Sequence, residues 1–156
     1  MNSLLISLQK ILWVYLCLIS TCVFAQGVHF KHLSINDGLS QNAVFAITQD
    51  HDGFMWFGTK DGLNKYDGYK FTVYHNDPND PATLDANYIK SIFCDSQGVL
   101  WVGTENGELN KFNKNTNSFL RIKLPLSDGS GINNFEIKVI IEDYSGNIWV
   151  GTRNNG

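Results

Sequence analysis

The chain has 156 residues, the length of one ordinary domain. Its 12 basic and 15 acidic residues give a net charge of −3, so the charge gives no reason to expect nucleic acid or an anionic membrane surface as a partner. Two of the three cysteines lie within the first 25 residues. The remainder therefore cannot form an intrachain disulfide and must be held by packing.

Residues 1–25 predict a secretory signal peptide. One charged residue, Lys10, precedes the apolar run Ile11–Ile19, and Ala25 supplies the small residue at the cleavage site. The run after Lys10 has about 15 residues, whereas a membrane-spanning helix needs about 20. We expect cleavage after Ala25 and a periplasmic or otherwise exported mature chain. A lipoprotein signal that uses Cys22 is a minor alternative.

A pattern of five residues recurs three times in the mature chain, at spacings of 45 and 48 residues. Each copy has an aspartate, a glycine three residues later, a tryptophan after three more, and then a Gly-Thr pair. The repeated residues are Asp50, Gly53, Trp56, Gly58 and Thr59; Asp95, Gly98, Trp101, Gly103 and Thr104; and Asp143, Gly146, Trp149, Gly151 and Thr152. Repeats of about 40 to 50 residues with short strands are typical of β-propeller blades.

Four antiparallel strands are predicted in each of the first two copies. The predicted strands are 44–48, the strand with Trp56, 63–66 and 70–74 in the first copy, and 89–93, the strand with Trp101, 109–112 and 118–122 in the second. The third copy reaches 137–141 and the strand with Trp149. In the turn after each first strand we expect the aspartate to accept a backbone N–H two residues on and the glycine to adopt positive φ.

The sequence therefore predicts an all-β fold of four-stranded antiparallel propeller blades, about two and a half of them. Residues 26–38 are predicted as a leading strand that closes the last blade of the intact propeller, followed by blade 1 (39–83), blade 2 (84–131) and a truncated blade 3 (132–156). We expect each tryptophan to pack against the neighbouring blade and to bury roughly 150–250 Å². Because a propeller needs at least four blades, about 180 residues, the isolated chain is expected to associate.

The repeated pattern D-x-x-G-x-[MLI]-W-[FV]-G-T, with GLNKYDG or GELNKFN after it, resembles the two-component regulator propeller repeat. The segment Phe30–Ser40 is also similar to the start of such sensors. The resemblance implies the periplasmic sensor segment of a Bacteroides-type hybrid two-component system. Its parent would be a homodimeric sensor histidine kinase that signals by phosphorelay through receiver and DNA-binding domains, none of which this sequence contains.

The expected function is therefore ligand sensing, with an oligosaccharide as the ligand of the intact receptor and with no cofactor. The alternative is a self-contained secreted interaction protein that assembles a ring from several chains. A propeller enzyme ranks last, because the repeated aspartate precedes its glycine by three residues rather than the two of a sialidase-type Asp-box. A glycosidase would also need two positioned carboxylates. No two of the acidic residues are marked by the sequence as such a catalytic pair.

The remaining candidate residues favour structural roles. Asp50 and Asp52 could begin a calcium loop, but the other copies carry Gln97 and Ser145 at the second position, and a turn is the better interpretation. We expect the four histidines to be solvated or packed in the core. Cys94 is interpreted as a buried small hydrophobe rather than as a reactive thiol.

One face of the propeller is expected to carry any ligand site. The links between blades, 75–83 and 123–131, should emerge together with the turns Lys60–Gly62 and Glu105–Gly107, opposite the aspartate turns. These segments offer Asp61, Asn79, Asp80, Glu105 and Asn106 as polar groups, but no tryptophan platform for a sugar. No individual binding residue is assigned from the sequence.

Overall fold

The structure is a computed structural model that describes, besides Trp13, residues 29–124 and 135–153. The predicted signal peptide at 1–25, lipid attachment at Cys22 and most of the link at 123–131 lie outside the described residues. Within the part of the chain that is described, no helix is long and apolar enough to cross a membrane. From Leu33 onwards the chain forms one compact unit.

Ten strands in the described residues form three antiparallel sheets. They are β1 (Val44–Gln49), β2 (Met55–Thr59), β3 (Gly62–Tyr66), β4 (Phe71–Tyr74), β5 (Ile89–Cys94), β6 (Leu100–Thr104), β7 (Glu108–Asn113), β8 (Ser118–Lys123), β9 (Ile137–Glu142) and β10 (Ile148–Thr152). Each sheet follows chain order: β1-β2-β3-β4, β5-β6-β7-β8, and the pair β9-β10. The predicted all-β fold, with two four-stranded blades and part of a third, is confirmed.

The first hairpin of each blade is built in the same register. Ile47 pairs with Phe57, Ile92 with Val102, and Ile140 with Val150. In all three hairpins the register shifts by one residue near the start of the first strand. Such a bulge increases the local twist of a strand. The three copies therefore share their backbone irregularity as well as their sequence pattern.

Successive blades pack through their first strands, since β1 lies beside β5 and β5 beside β9. The glycine two residues after each tryptophan makes this possible in blades 1 and 2. A Cβ atom on Gly58 would lie 2.6 Å from Cγ2 of Ile89, and one on Gly103 would lie 2.4 Å from Cγ2 of Ile137. Neither glycine has positive φ. Glycine is thus required here for the close approach of the next blade, not for a turn.

The three tryptophans are more deeply buried the more strands the next blade contains. Trp56, with four strands beyond it, is 1% exposed and packs in a cluster with Leu100 and Val102 of blade 2. Trp101, with two strands beyond it, is half-buried against the cluster around Ile137. Trp149, with no described blade beyond it, is 61% exposed. The expected packing of the tryptophan against its neighbour is confirmed for the first two.

Of the segment 26–38, which is predicted as a leading strand, the structure describes residues 29–38. Residues 29–34 have no regular secondary structure, and Ile35–Asp37 form a 3₁₀ turn with Ser34 as its N-cap. A leading strand that closes the last blade of the intact propeller stays a prediction.

Candidate functional site

Each repeated aspartate accepts hydrogen bonds from its own hairpin, three at Asp50 and Asp95 and four at Asp143. One carboxylate oxygen of Asp50 accepts the backbone N–H groups of Asp52 (3.0 Å) and Phe54 (2.9 Å), and the other accepts Nε1–H of Trp56 at 2.7 Å. Asp95 and Asp143 repeat the arrangement, with Nε1 of Trp101 at 2.8 Å and of Trp149 at 2.9 Å. We call this arrangement the Asp–Trp latch.

The latch explains the residue spacing of the repeat. The expected bond to the N–H two residues on is present in all three copies, and the closing glycines have positive φ (Gly53 89°, Gly98 79°, Gly146 82°). The bond from Trp149, followed by bonds from Asn147, holds the pKa of Asp143 well below its ordinary value. In all three aspartates both carboxylate oxygens already accept N–H groups of the hairpin, which argues against their use as calcium ligands.

A metal centre has no support among the described residues. Within 29–124 and 135–153, no three His, Cys, Asp or Glu side chains are close enough together to hold a metal ion. The Nε2 atom of His75 lies 3.7 Å from Oδ1 of Asp61. The imidazole of His51 packs over Gly98, with Nδ1 3.1 Å from where a Cβ would stand.

A second set of buried polar residues was not singled out from the sequence. Asn110 is fully buried, and its amide N–H₂ donates to Oδ1 of Asp85 (2.6 Å) and to the carbonyls of Val102 and Glu108. Its carbonyl oxygen accepts the backbone N–H of Asp85 at 3.1 Å. Thr104 also donates to Asp85, at 2.8 Å. We call this group the asparagine lock, because it joins the segment before β5 to β6 and β7.

Blade 1 contains the same lock with a serine in place of the aspartate. The amide of Asn64 donates to Oγ of Ser40 and accepts its backbone N–H, both at 2.8 Å, and Oγ of Ser40 lies 2.8 Å from the hydroxyl of Thr59. The recurring Leu-Asn-Lys triplet at 63–65 and 109–111 is the sequence signal that could have revealed the lock.

Strand direction separates the loops into two faces, as expected. β2 and β4 end on the face where β1 and β5 begin, because neighbouring strands are antiparallel. The crossing-loop face therefore carries the link 75–83 with the turns 60–61 and 105–107. The Asp-turn face carries the turns 50–53, 95–98 and 143–146.

The link 75–83 is tied firmly to blade 2. The guanidinium of Arg121 donates to the backbone carbonyls of Asp80 (3.0 Å), Thr83 (2.8 Å) and Leu84 (2.8 Å), and Phe119 N–H donates to the carbonyl of Ala82 at 2.7 Å. This loop is therefore held in one conformation by the blade that follows it.

The polar residues that the sequence predicted for the crossing-loop face do not form one connected group in the described structure. Asp61 lies beside the His75 ring, and the carboxylate of Asp80 accepts the N–H of Ala82 within the link. The side chains of Asn79 and Glu105 are exposed, and Asn106 donates to the carbonyl of Asp85 at 3.4 Å.

A groove lies on the opposite, Asp-turn face, where the sequence did not predict a site. It has a volume of about 400 Å³ and runs between blades 1 and 2. Its lining includes Asp52, Trp56, Gln97, Phe112 and Lys114. The ammonium of Lys114 lies 3.3 Å from the Asp52 carboxylate and so links the two blades across the groove.

Cys94 lies at the end of β5, half-buried against the core between the blades. Burial raises the pKa of its thiol above the ordinary value. Because the thiolate is the reactive form, the environment lowers its reactivity, in agreement with the buried-hydrophobe interpretation.

We expect Cys94 in the folded chain, without residues 1–25, to react with iodoacetamide at pH 8 on the order of tenfold more slowly than in the unfolded chain. Labelling followed by mass spectrometry measures this rate, with the chain in guanidinium chloride as the reference. Equal rates in the two states would contradict a buried thiol.

Comparison with known proteins agrees with this geometry. The sequence pattern of the family "Two component regulator propeller" matches residues 38–61, 83–106 and 130–154, one match per blade, and the chain belongs to this family. A curated relative, Histidine kinase P4 of Formosa agariphila, is 44% identical over 81% of this chain and 16% of its own length.

Two solved structures from B. thetaiotaomicron have the same fold. The extracellular domain assigned to the hybrid two component system BT3049 matches 77% of this chain and 17% of its own, with a TM-score of 0.65 and 31% identity. The corresponding domain of BT4673 matches 83% and 18%, with a TM-score of 0.66 and 23% identity, which supports the fold alone. The chain thus spans 16–18% of the length of these relatives.

Proposed function

We propose that this chain is the ligand-sensing, periplasmic propeller segment of a hybrid two-component sensor and that its crossing-loop face contributes to recognition of an oligosaccharide. The proposal rests chiefly on the firmly held link 75–83, which presents polar side chains from an ordered loop. The family membership and the extracellular neighbours support export and a role in signalling. The intact receptor would be a homodimeric histidine kinase.

The side chains on the crossing-loop face are of the kinds that bind sugars by hydrogen bonds. Carboxylates and amides such as those of Asp61, Asn79 and Asn106 bind sugar hydroxyls by hydrogen bonds and fix their orientation. Because Arg121 already orders the link, less conformational entropy is lost when a ligand binds. A ligand that binds one receptor conformation better than another shifts the population and thereby the kinase activity.

The proposal is tested in the full-length receptor by removing the exposed polar groups while keeping the loop anchors. Asp61, Asn79, Glu105 and Asn106 are changed to alanine together, whereas Asp80, Thr83 and Arg121 stay. We expect the reporter response to the inducing oligosaccharide to need at least about tenfold more ligand, a loss of 1.4 kcal/mol. The response is measured as expression of a target gene fused to a reporter.

A matched control changes the groove on the Asp-turn face. Asp52, Gln97 and Lys114 are replaced by alanine, and the response should stay within about twofold of the parent, less than 0.5 kcal/mol. If the control loses its response and the crossing-loop variant keeps it, the proposed face is wrong and the groove is the site.

A second function, a secreted interaction protein assembled from several chains, is favoured by one observation. Three apolar side chains of blade 3 are about half exposed or more, and such an apolar surface suits another copy of the repeat: Val139 (48%), Ile141 (52%) and Trp149 (61%). The nucleotide sequence after the codon for Gly156 separates the two functions, because further repeats and a membrane span in frame would leave only the sensor.

A further inference from the structure

Four cationic side chains converge on the crossing-loop face, close to where the first strands of the blades begin. The ammonium groups of Lys60 and Lys90 lie 5.7 and 3.2 Å from the centre of the Tyr88 ring. Lys90 also lies 3.3 Å from the carboxylate of Glu136, which Lys138 contacts too and which Arg153 approaches to 3.7 Å. We call Lys60, Lys90, Lys138 and Arg153 the cation cluster.

The negative charge beside the cluster is too small to balance it. Glu136 is the one carboxylate with which described cluster members form ion pairs. Its bond to Lys138, with help from Lys90, lowers its pKa to about 2, so it is ionised at any physiological pH. Among the described residues, this single carboxylate is shared by three cations of the cluster, Lys90, Lys138 and Arg153.

This excess is unusual for the chain, which carries a net charge of −3. A network that served only to hold the blades together would need no more cations than carboxylates. Clustered charge of one sign raises the local concentration of oppositely charged ligands and speeds their association. The cluster is therefore suited to attract an anion.

The cations of the cluster differ in how far their side chains are exposed to a ligand. Lys90 is 10% exposed and is held between Tyr88 and Glu136. Lys138 is 47% exposed and Arg153 63%. The Nη1 atom of Arg153 is beyond hydrogen-bond distance from Glu136, so its guanidinium can still donate to a carboxylate or sulfate.

An aromatic surface adjoins these charges. The rings of Tyr88 and Phe45 lie 4.9 Å apart, and Phe45 is 49% exposed. Sugar sites combine an aromatic surface for the ring face with polar groups for the substituents. The sequence offered no tryptophan on this face, but the structure brings a phenylalanine from β1 and a tyrosine from the segment before β5 together.

We propose that the cation cluster binds the acidic substituents of the ligand, so that the crossing-loop face recognises an anionic oligosaccharide rather than a neutral one. This inference rests on the proposed function and specifies its ligand class. Carboxylates of uronic acids and sulfate esters share the chemistry that the cluster would bind. Arg153 and Lys138 contact the anion, while the ammonium of Lys90 balances the negative charge of the ionised Glu136.

The test measures binding to the solubilised full-length receptor by isothermal titration calorimetry. The probes are hexagalacturonate and a sulfated galactan hexasaccharide, each with its uncharged counterpart, carboxyl-reduced or desulfated. Neutral xylan, mannan and cellulose hexasaccharides complete the panel. We expect one acidic probe to bind at least about tenfold more tightly than its counterpart, and this preference to weaken as NaCl rises from about 50 to 500 mM.

The variant Lys138→Gln/Arg153→Gln removes two available charges and leaves Lys90 to pair with Glu136. We expect it to lose the preference for the acidic probe, at least about tenfold in Kd. The control Lys70→Gln/Lys114→Gln removes the same charge from exposed lysines on the Asp-turn face and should bind within about twofold of the parent. The acidic probe that binds, uronate or sulfate, identifies the substituent.

The outcomes separate this inference from the proposed function. Binding of a neutral hexasaccharide with no preference for an acidic probe would overturn the anionic ligand class and leave oligosaccharide sensing in place. Equal losses in the two double variants would also overturn it, because net charge rather than the cluster would then be responsible. A receptor that binds none of the hexasaccharides would contradict both proposals.

Discussion

Replacing Trp56 with alanine should lower the unfolding free energy of the mature chain by about 3–5 kcal/mol, the usual cost of removing a large buried ring. The ring is almost fully buried between blades and stacks on Tyr74 and edge-on against Phe112, with centroids 5.7 and 5.1 Å away. Urea unfolding followed by circular dichroism, at a concentration where the chain is monomeric, measures the loss.

Two further variants separate the contributions of Trp56. Trp56→Phe keeps most of the ring but removes the bond to Asp50, and should cost about 1–2 kcal/mol. Trp149→Ala removes a tryptophan that has the same latch but is largely exposed, and should cost less than about 1.5 kcal/mol. Trp101→Ala should fall between Trp149→Ala and Trp56→Ala. Equal losses at Trp56 and Trp149 would contradict packing against the next blade as the source of stability.

Replacing Asn110 with alanine is expected to cost about 2–4 kcal/mol, because an unsatisfied buried polar group costs about 1–3 kcal/mol and several lose their partner at once. The backbone N–H of Asp85 and the carbonyls of Val102 and Glu108 all bond to this one amide. The same urea titration measures the effect.

The control for Asn110 is Asn106→Ala, four residues earlier. Asn106 is exposed and its amide makes one long bond, 3.4 Å, to the carbonyl of Asp85. Its replacement should change stability by no more than about 0.5 kcal/mol. If the two variants are equally stable, the asparagine lock has no role in holding β6 and β7 to the preceding segment.

The sequence predicted the strands well because each is bounded by turn residues with strong local preferences. The first strands end within one residue of the prediction, just before Asp50, Asp95 and Asp143. The leading strand at 26–38 stays a prediction, because the last blade that it would complete is not among the described residues.

The side-chain contacts were harder to predict than the strands. The constant spacing of six residues between Asp50 and Trp56 was visible, but it could not show that the carboxylate reaches Nε1, because that depends on the twist of the hairpin. The groove and the cation cluster draw residues from two or three copies. Their geometry follows from the distance between blades, which the spacing in the sequence does not give.

The Asp–Trp latch also bears on the order in which the protein assembles. Its partners are only six residues apart, so the latch can close within a single hairpin, without contacts from another blade. Burial of the same indole, however, must wait for the next blade to arrive. The latch can therefore fasten a hairpin before the next blade is in place, whereas burial of its indole requires that blade.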